Sequence, residues 1–260
     1  MLKMQMIAAG VAFVGTLTVG SVTGIAAPPD GCKDLPSHNA LREALVAAQA
    51  QGNGGFALHM WASVVNRDGE VCAVAFTGDD RGDQWPGSRV ISAQKANTAN
   101  AFSLPGLALS TANLYTAVQP GGSLFGLQLS NPVNTDVAYA GNPSNYGRPN
   151  DPMVGGRIGG VNVFGGGLAL YDSSHKLVGG LGVSGDSSCA DHNIAWRVRN
   201  TLNLDYVPSG VSGDPARPDN IVYDITPQPG QMPGTSMSGW GHPACSAAAT
   251  AVAAALPVTK

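Results

Sequence analysis

Charge is what this chain lacks most. Asp, Glu, Lys and Arg make up 12% of its 260 residues, about half the usual quarter of a soluble protein. Lys and Arg number 14 against 17 Asp and Glu, a formal net charge of −3. With no basic excess, binding to nucleic acid through phosphate neutralisation is excluded. Cysteines are few: four, all far apart, with no Cys-x-x-Cys pair. That leaves zinc ribbons, dithiol redox motifs and covalent haem attachment without support. His-Glu-x-x-His is absent too. Apolar content is an ordinary 43%, too high for a disordered chain. What the chain has in excess is glycine, 35 residues, together with 18 prolines. The glycines follow no three-residue period, so collagen is excluded. A globular, loop-rich chain remains.

The first residues have the three-part pattern of a secretory signal. Lys3 is the one early cation, an apolar run from Ile7 to Leu17 follows, and small residues lead through Ala26 to Ala27-Pro28-Pro29. The expectation is a signal peptide over residues 1–26, an exported chain in the periplasm or outside the cell, and no membrane span after processing. Export gives Cys32, Cys72, Cys189 and Cys245 a role as two disulfides. Three pairings are possible. Packing the first helix antiparallel on the first strand would bring Cys32 to Cys72 and leave Cys189 for Cys245.

Periodicity predicts a helix over 34–51 with Ser37 or Asn39 as cap and Leu41, Ala44, Leu45 and Ala48 on one face. Strands follow over 56–65 and 71–76, joined by a turn at Asn66-Arg67-Asp68-Gly69. A second helix, 88–102, is rich in alanine. From 104 to 155 prolines and glycines interrupt the pattern, leaving room for one short helical piece over 110–118, so this stretch reads as an insertion covering the core. Short strands return at 161–164, 168–171 and 177–184. The glycines at 179, 180 and 182 strip one face of side chains, so a helix or a flat ligand must lie close to it. A third helix covers 187–204, with Ala190, Ile194, Val198 and Leu202 as its buried stripe. Residues 205–241 read as loop and 244–256 as a short helix. The whole is an α+β fold, a largely antiparallel sheet with helices packed on it. Its organisation is a domain over 27–204 carrying the insertion 104–155, then a loop-rich extension over 205–260.

Three segments in this order resemble the GlcG/HbpS family, whose members are described as haem-binding. They are Ala62-Ser63-Val64-Val65-Asn66-Arg67-Asp68-Gly69-Glu70-Val71, then Lys95-Ala96-Asn97-Thr98-Ala99, then Gly179-Gly180-Leu181-Gly182-Val183-Ser184-Gly185 with Asp191 six residues on. The likeness covers roughly 35–103 and 156–203. It implies a profilin-like sheet flanked by helices, haem or another small flat ligand, a homo-oligomer, and roles for Lys95, Thr98 and Asp191. A haem pocket wants an axial donor, apolar walls and cations for the propionates. On the third helix His192, Trp196, Arg199 and Asn203 share a face opposite the buried stripe. That face offers His192 as iron ligand, Trp196 as wall and Arg199 as propionate partner, or else an oligomer contact.

The leading expectation is therefore an exported haem-binding protein that stores, carries or senses its ligand. One alternative is a small-molecule enzyme with Lys95, Asp191 or His192 as acid–base groups. Another is an oligomeric envelope protein without a ligand. Gly234-Thr235-Ser236-Met237-Ser238 resembles the serine loop of subtilisin-like proteases, but the matching histidine segment is missing. Asp79, Asp80 and Asp83 read as a solvated acidic turn rather than a calcium loop.

Overall fold

The computed structural model describes residues 30–260, so the signal segment expected over 1–26 lies outside the described residues. Helix α1 runs His38–Gln49, strand β1 Trp61–Asn66, β2 Val71–Phe76 and helix α2 Ser88–Phe102. The insertion carries three one-turn helices, α3 Tyr115–Val118, α4 Leu127–Ser130 and α5 Thr135–Ala138. Then come β3 Gly167–Tyr171, β4 Leu177–Ser184 and α6 Ser188–Thr201. A hairpin, β5 Ile225–Gln228 and β6 Gln231–Ser236, precedes α7 Ala247–Ala254. Among the described residues no helix is long and apolar enough to cross a membrane.

Strands β2, β1, β4 and β3 form one sheet in that order, every pair antiparallel. Alternation along β1 sends Ala62 and Val64 to one face and Trp61, Ser63 and Val65 to the other. The first face meets α1 and α6, where Leu41, Leu45, Ile194 and Val198 close a core with Leu181 and Val183. The second face meets α2. There the glycines of β4 explain themselves: a Cβ on Gly182 would collide with the Ser92 carbonyl, and one on Gly180 with that of Ala96. Ala93, Ala96 and Ala99 on α2 are fully buried against this bare strand. Small residues on both partners let the helix backbone sit on the sheet, and Ser63 and Ser92 join hydroxyls there at 2.8 Å. Of the two occupants expected over the glycine face, the helix is the one present. The sandwich is thus the α+β architecture the periodicity predicts.

Local chemistry sets the boundaries. The Ser37 hydroxyl accepts from the Ala40 amide and starts α1. The β1–β2 turn closes on Asn66, whose side-chain oxygen accepts from the Asp68 and Glu70 amides at 2.9 and 3.0 Å, while Gly69 takes a φ of +75°. Cys32 pairs with Cys72 and Cys189 with Cys245, at Cα separations of 5.5 and 6.0 Å.

Two expectations are corrected. Residues 161–164 form no strand, because their amides bind side chains instead of a neighbouring ladder: Asn162 donates to Thr98 Oγ1 and Val163 to Gln128 Oε1. The loop expected over 205–241 contains the β5–β6 hairpin, whose prolines and glycine hide the strand alternation. The extension is also no detached tail. Ile221, Ala249, Ala253 and Leu256 belong to the same core as α1 and α6.

Close packing on the glycine face gives a direct expectation. Gly182→Ala should lower unfolding free energy in urea by about 2–3 kcal/mol, whereas Gly106→Ala, with open space around it, should leave the midpoint unchanged.

Candidate functional site

The five residues singled out on α2 and α6 are all buried. Lys95 reaches past the end of β4, donating to the Val183 carbonyl at 3.0 Å and to Asp191 Oδ2 at 2.7 Å. Burial pulls the Lys95 ammonium below its ordinary value, against the pull of Asp191. Burial likewise pushes the Asp191 carboxyl up to about 6, opposed by Lys95 and by the Asp186 amide that donates to it. Thr98 stands apart from this pair: its hydroxyl donates to Gln94 O and accepts from Asn162 N. It pins the segment after the insertion onto α2.

His192 and Arg199 do share a face of α6, but that face is not open. The C-terminal extension covers it, which corrects the expectation of an accessible stripe opposite Ile194 and Val198. Arg199 forms a two-pronged pair with Asp219 at 2.6 and 2.8 Å and stacks over Trp196. Trp196 donates its indole N–H to Pro257 O. His192 Nε2 lies 3.1 Å from Asn220 Oδ1, and its Nδ1 is buried without a partner. Burial lowers the His192 pKa to about 4. Only Asn203, where the helix ends, remains exposed. The backbone of Gly165 and Gly166 lies directly against His192, Asp191 and Lys95. None of the five lines a described cavity.

One histidine in the extension was not foreseen. His242 Nδ1–H donates to Pro243 O at 2.7 Å, so Nε2 accepts from the Ser188 hydroxyl at 2.8 Å. Its ring packs 4.9 Å from that of Tyr115, and burial lowers its pKa to about 4. His242 lines a small cavity of about 260 Å³ with Tyr223 and Ile225, and through Ser188 and Tyr115 it joins the extension to α6 and the insertion. Ser236 ends β6, donating to Asp224 and accepting from the Gly239 and Gly241 amides. These bonds make it part of a loop clasp, not a protease centre. Asp83 accepts from the Asp79 and Asp80 amides, closing the acidic turn on itself.

The open concavity lies elsewhere, where the start of α2 faces the insertion. It is a cavity of about 490 Å³, within the usual range of small-molecule sites. Trp61, Pro86, Arg89 and Val90 come from the sandwich, Tyr139, Pro143 and Tyr146 from the insertion, and Asp80, Arg81 and Gly82 from the acidic turn. Arg89 builds it. Its guanidinium is buried, gripping the Asp151 carboxylate from two nitrogens and donating to Ala138 O at 2.7 Å. It also lies 3.6 Å over the Tyr146 ring. Asp151 in turn accepts from the Gly147 and Met153 amides. Trp61 lines the cavity, and its buried indole N–H has no acceptor among the described residues. Arg81 is exposed. Sequence reasoning missed Arg89, whose one signal is a cation in the first turn of a helix, where the macrodipole disfavours it.

Residues 37–199 match a family model described as haem degrading protein HbpS-like. Among curated proteins none matches. Solved structures similar to this chain include a PduOC–haem complex, 25% identical, covering 64% of this chain and 91% of that one with a TM-score of 0.44. Protein ORFY of Klebsiella pneumoniae is 23% identical over 64% and 90% of the two chains, with a TM-score of 0.42. HbpS is 19% identical over 74% and 99%, with a TM-score of 0.40.

The buried histidines set a pH response. Each is held neutral, with a folded pKa near 4 against an ordinary 6.5. Their contribution to stability is complete above that ordinary value and is lost as pH falls towards 4. Asp191, raised to about 6, acts with the opposite sign over the same window, since the folded state takes up its proton first. Two histidines outweigh one carboxylate. Urea midpoints should therefore fall from pH 7 to pH 4, and His192→Gln with His242→Gln should flatten that fall.

Proposed function

Because the chain belongs to the HbpS-like family through residues 37–199, we propose that it binds haem and seats it in the cavity between α2 and the insertion. One observation carries this reading: a cavity of about 490 Å³ with aromatic and proline walls, inside the matched region, edged by an exposed cation. Haem is a flat apolar disc with two carboxylates. Tyr139, Pro143 and Pro86 suit its faces, and Arg81 suits a propionate. The α6 set fits less well. Its charged groups already satisfy one another, and the 165–166 backbone occupies the space beside His192. In this reading Lys95, Thr98, Asp191, His192 and Arg199 hold the frame that presents the cavity.

Bound haem would supply a redox-active iron. The chain's own residues bind the macrocycle, orient it by its carboxylates and shield one face from water. Two disulfides and a signal-like leader support work in an oxidising compartment outside the cytosol. Trp85, Phe125 and Leu129, large and exposed, support self-association.

Titration of the purified full chain with haemin should give a saturable shift of the Soret band. Arg81→Glu should weaken binding by about tenfold, and His192→Gln should leave it unchanged. Absence of any saturable shift sinks the haem reading. A loss in His192→Gln with Arg81→Glu unaffected moves the seat to α6. Adding ascorbate and air to the loaded protein separates binding, in which the Soret band persists, from the degradation named in the family description, in which it bleaches.

A further inference from the structure

Residues 138–140 are fixed more firmly than a surface loop requires. The carbonyls on both sides of Tyr139 are held: Arg89 donates to Ala138 O at 2.7 Å, and the Tyr146 hydroxyl donates to Ala140 O at 3.3 Å. The Tyr139 amide donates to Thr135 O, ending α5. Gly141 then turns the chain at a φ of +66°, packed against Pro152. Behind this segment stands the buried Arg89–Asp151 pair. Yet Tyr139 itself is 64% exposed, and its hydroxyl makes no hydrogen bond among the described residues. An exposed ring on an anchored backbone gains little from burial in the free protein. It is placed for something that arrives.

The cavity it lines contains no His, Cys or Met. Its other phenol, on Tyr146, is engaged with Ala140 O, and the Asp80 carboxylate accepts from the Gly82 amide. Tyr139 is the aromatic donor left with a free oxygen. We propose that Tyr139 ligates the iron of a ferric porphyrin through its phenolate oxygen. The proposal rests on the haem seat argued above. On binding, the phenol O–H bond breaks and an O–Fe(III) bond forms. The proton passes to solvent, and the water or chloride carried by free haemin leaves. A hard anionic oxygen favours ferric over ferrous iron, so the site selects the oxidised ligand. Arg81, exposed and lining the same cavity, offers a propionate one cation, while Arg89 is already paired with Asp151.

The full chain and Tyr139→Phe are compared with haemin, gallium(III) protoporphyrin and metal-free protoporphyrin, read by absorption, resonance Raman and electron paramagnetic resonance. The expected result is a high-spin ferric spectrum with an iron–phenolate vibration in the parent protein. Tyr139→Phe should lose both features and bind haemin and the gallium porphyrin about tenfold more weakly, while metal-free porphyrin binds both proteins alike. Dithionite should loosen haem in the parent protein only. Tyr139→His, which restores a donor at the same place, should give a nitrogen-ligated spectrum. Identical spectra for the parent protein and Tyr139→Phe, with Arg81→Glu still weakening binding, overturn the ligand assignment and leave the seat standing. Haemin binding insensitive to both Arg81→Glu and Tyr139→Phe overturns the seat as well.

Discussion

The buried pair of Arg89 and Asp151 is the interaction on which the open side of the molecule depends. In a chain with so little charge, a guanidinium and a carboxylate placed out of water must each be fully bonded. They are: Arg89 contacts Asp151 and Ala138 O, and Asp151 also takes the Gly147 and Met153 amides. An apolar contact of equal area would hold the insertion to α2 as firmly but would tolerate sliding. The fork geometry of Arg with carboxylate does not. The cavity wall therefore has one position. Two further buried pairs repeat the device. Lys95–Asp191 joins α2 to α6, and Arg199–Asp219 joins α6 to the extension. The first ties together the helices on the two faces of the sheet, and the second ties one of them to the extension.

The sandwich was legible from residue pattern because its constraints are local and periodic. Alternation in β1 and β2, the alanine stripe of α2, the Asn66–Gly69 turn and the bare glycines of β4 each carry their meaning within a few residues. Both disulfide pairs followed from packing one helix on one strand. The site was less legible, because its determinants are not local. Asp151 lies in a proline-rich stretch that resembles nothing, and only the fold brings it to Arg89, 62 positions away. The face of α6 misled for a related reason. Helical periodicity shows which residues share a side, but not that Asn220 and Pro257 will cover it.

Burial then changes what the same residue types mean. His192 and Arg199 suggest ligand chemistry when drawn on a helical wheel. Inside the fold, one is a neutral ring beside Asn220 and the other a saturated partner of Asp219. Tyr139 suggests nothing on a wheel and stands at the opening, on a backbone clamped from both sides. The proposed seat thus pairs a sequence-regular frame with an irregular stretch that lies outside the sheet and its helices.

The docking of the extension also bears on when the protein becomes itself. Ala249, Ala253 and Leu256 complete the layer over α1 and α6, and Pro257 receives the Trp196 indole. These residues leave the ribosome after everything they cover. Until then Arg199 has no Asp219, His192 has no Asn220, and Cys189 has no Cys245. A growing chain can form the hairpin and lay α2 on the glycine strand, but it cannot cover the face of α6 that carries His192, Trp196 and Arg199. The native cover of that face is thereby deferred until residues 219–257 have been made, and a chain stopped short of them stays open on one side of α6.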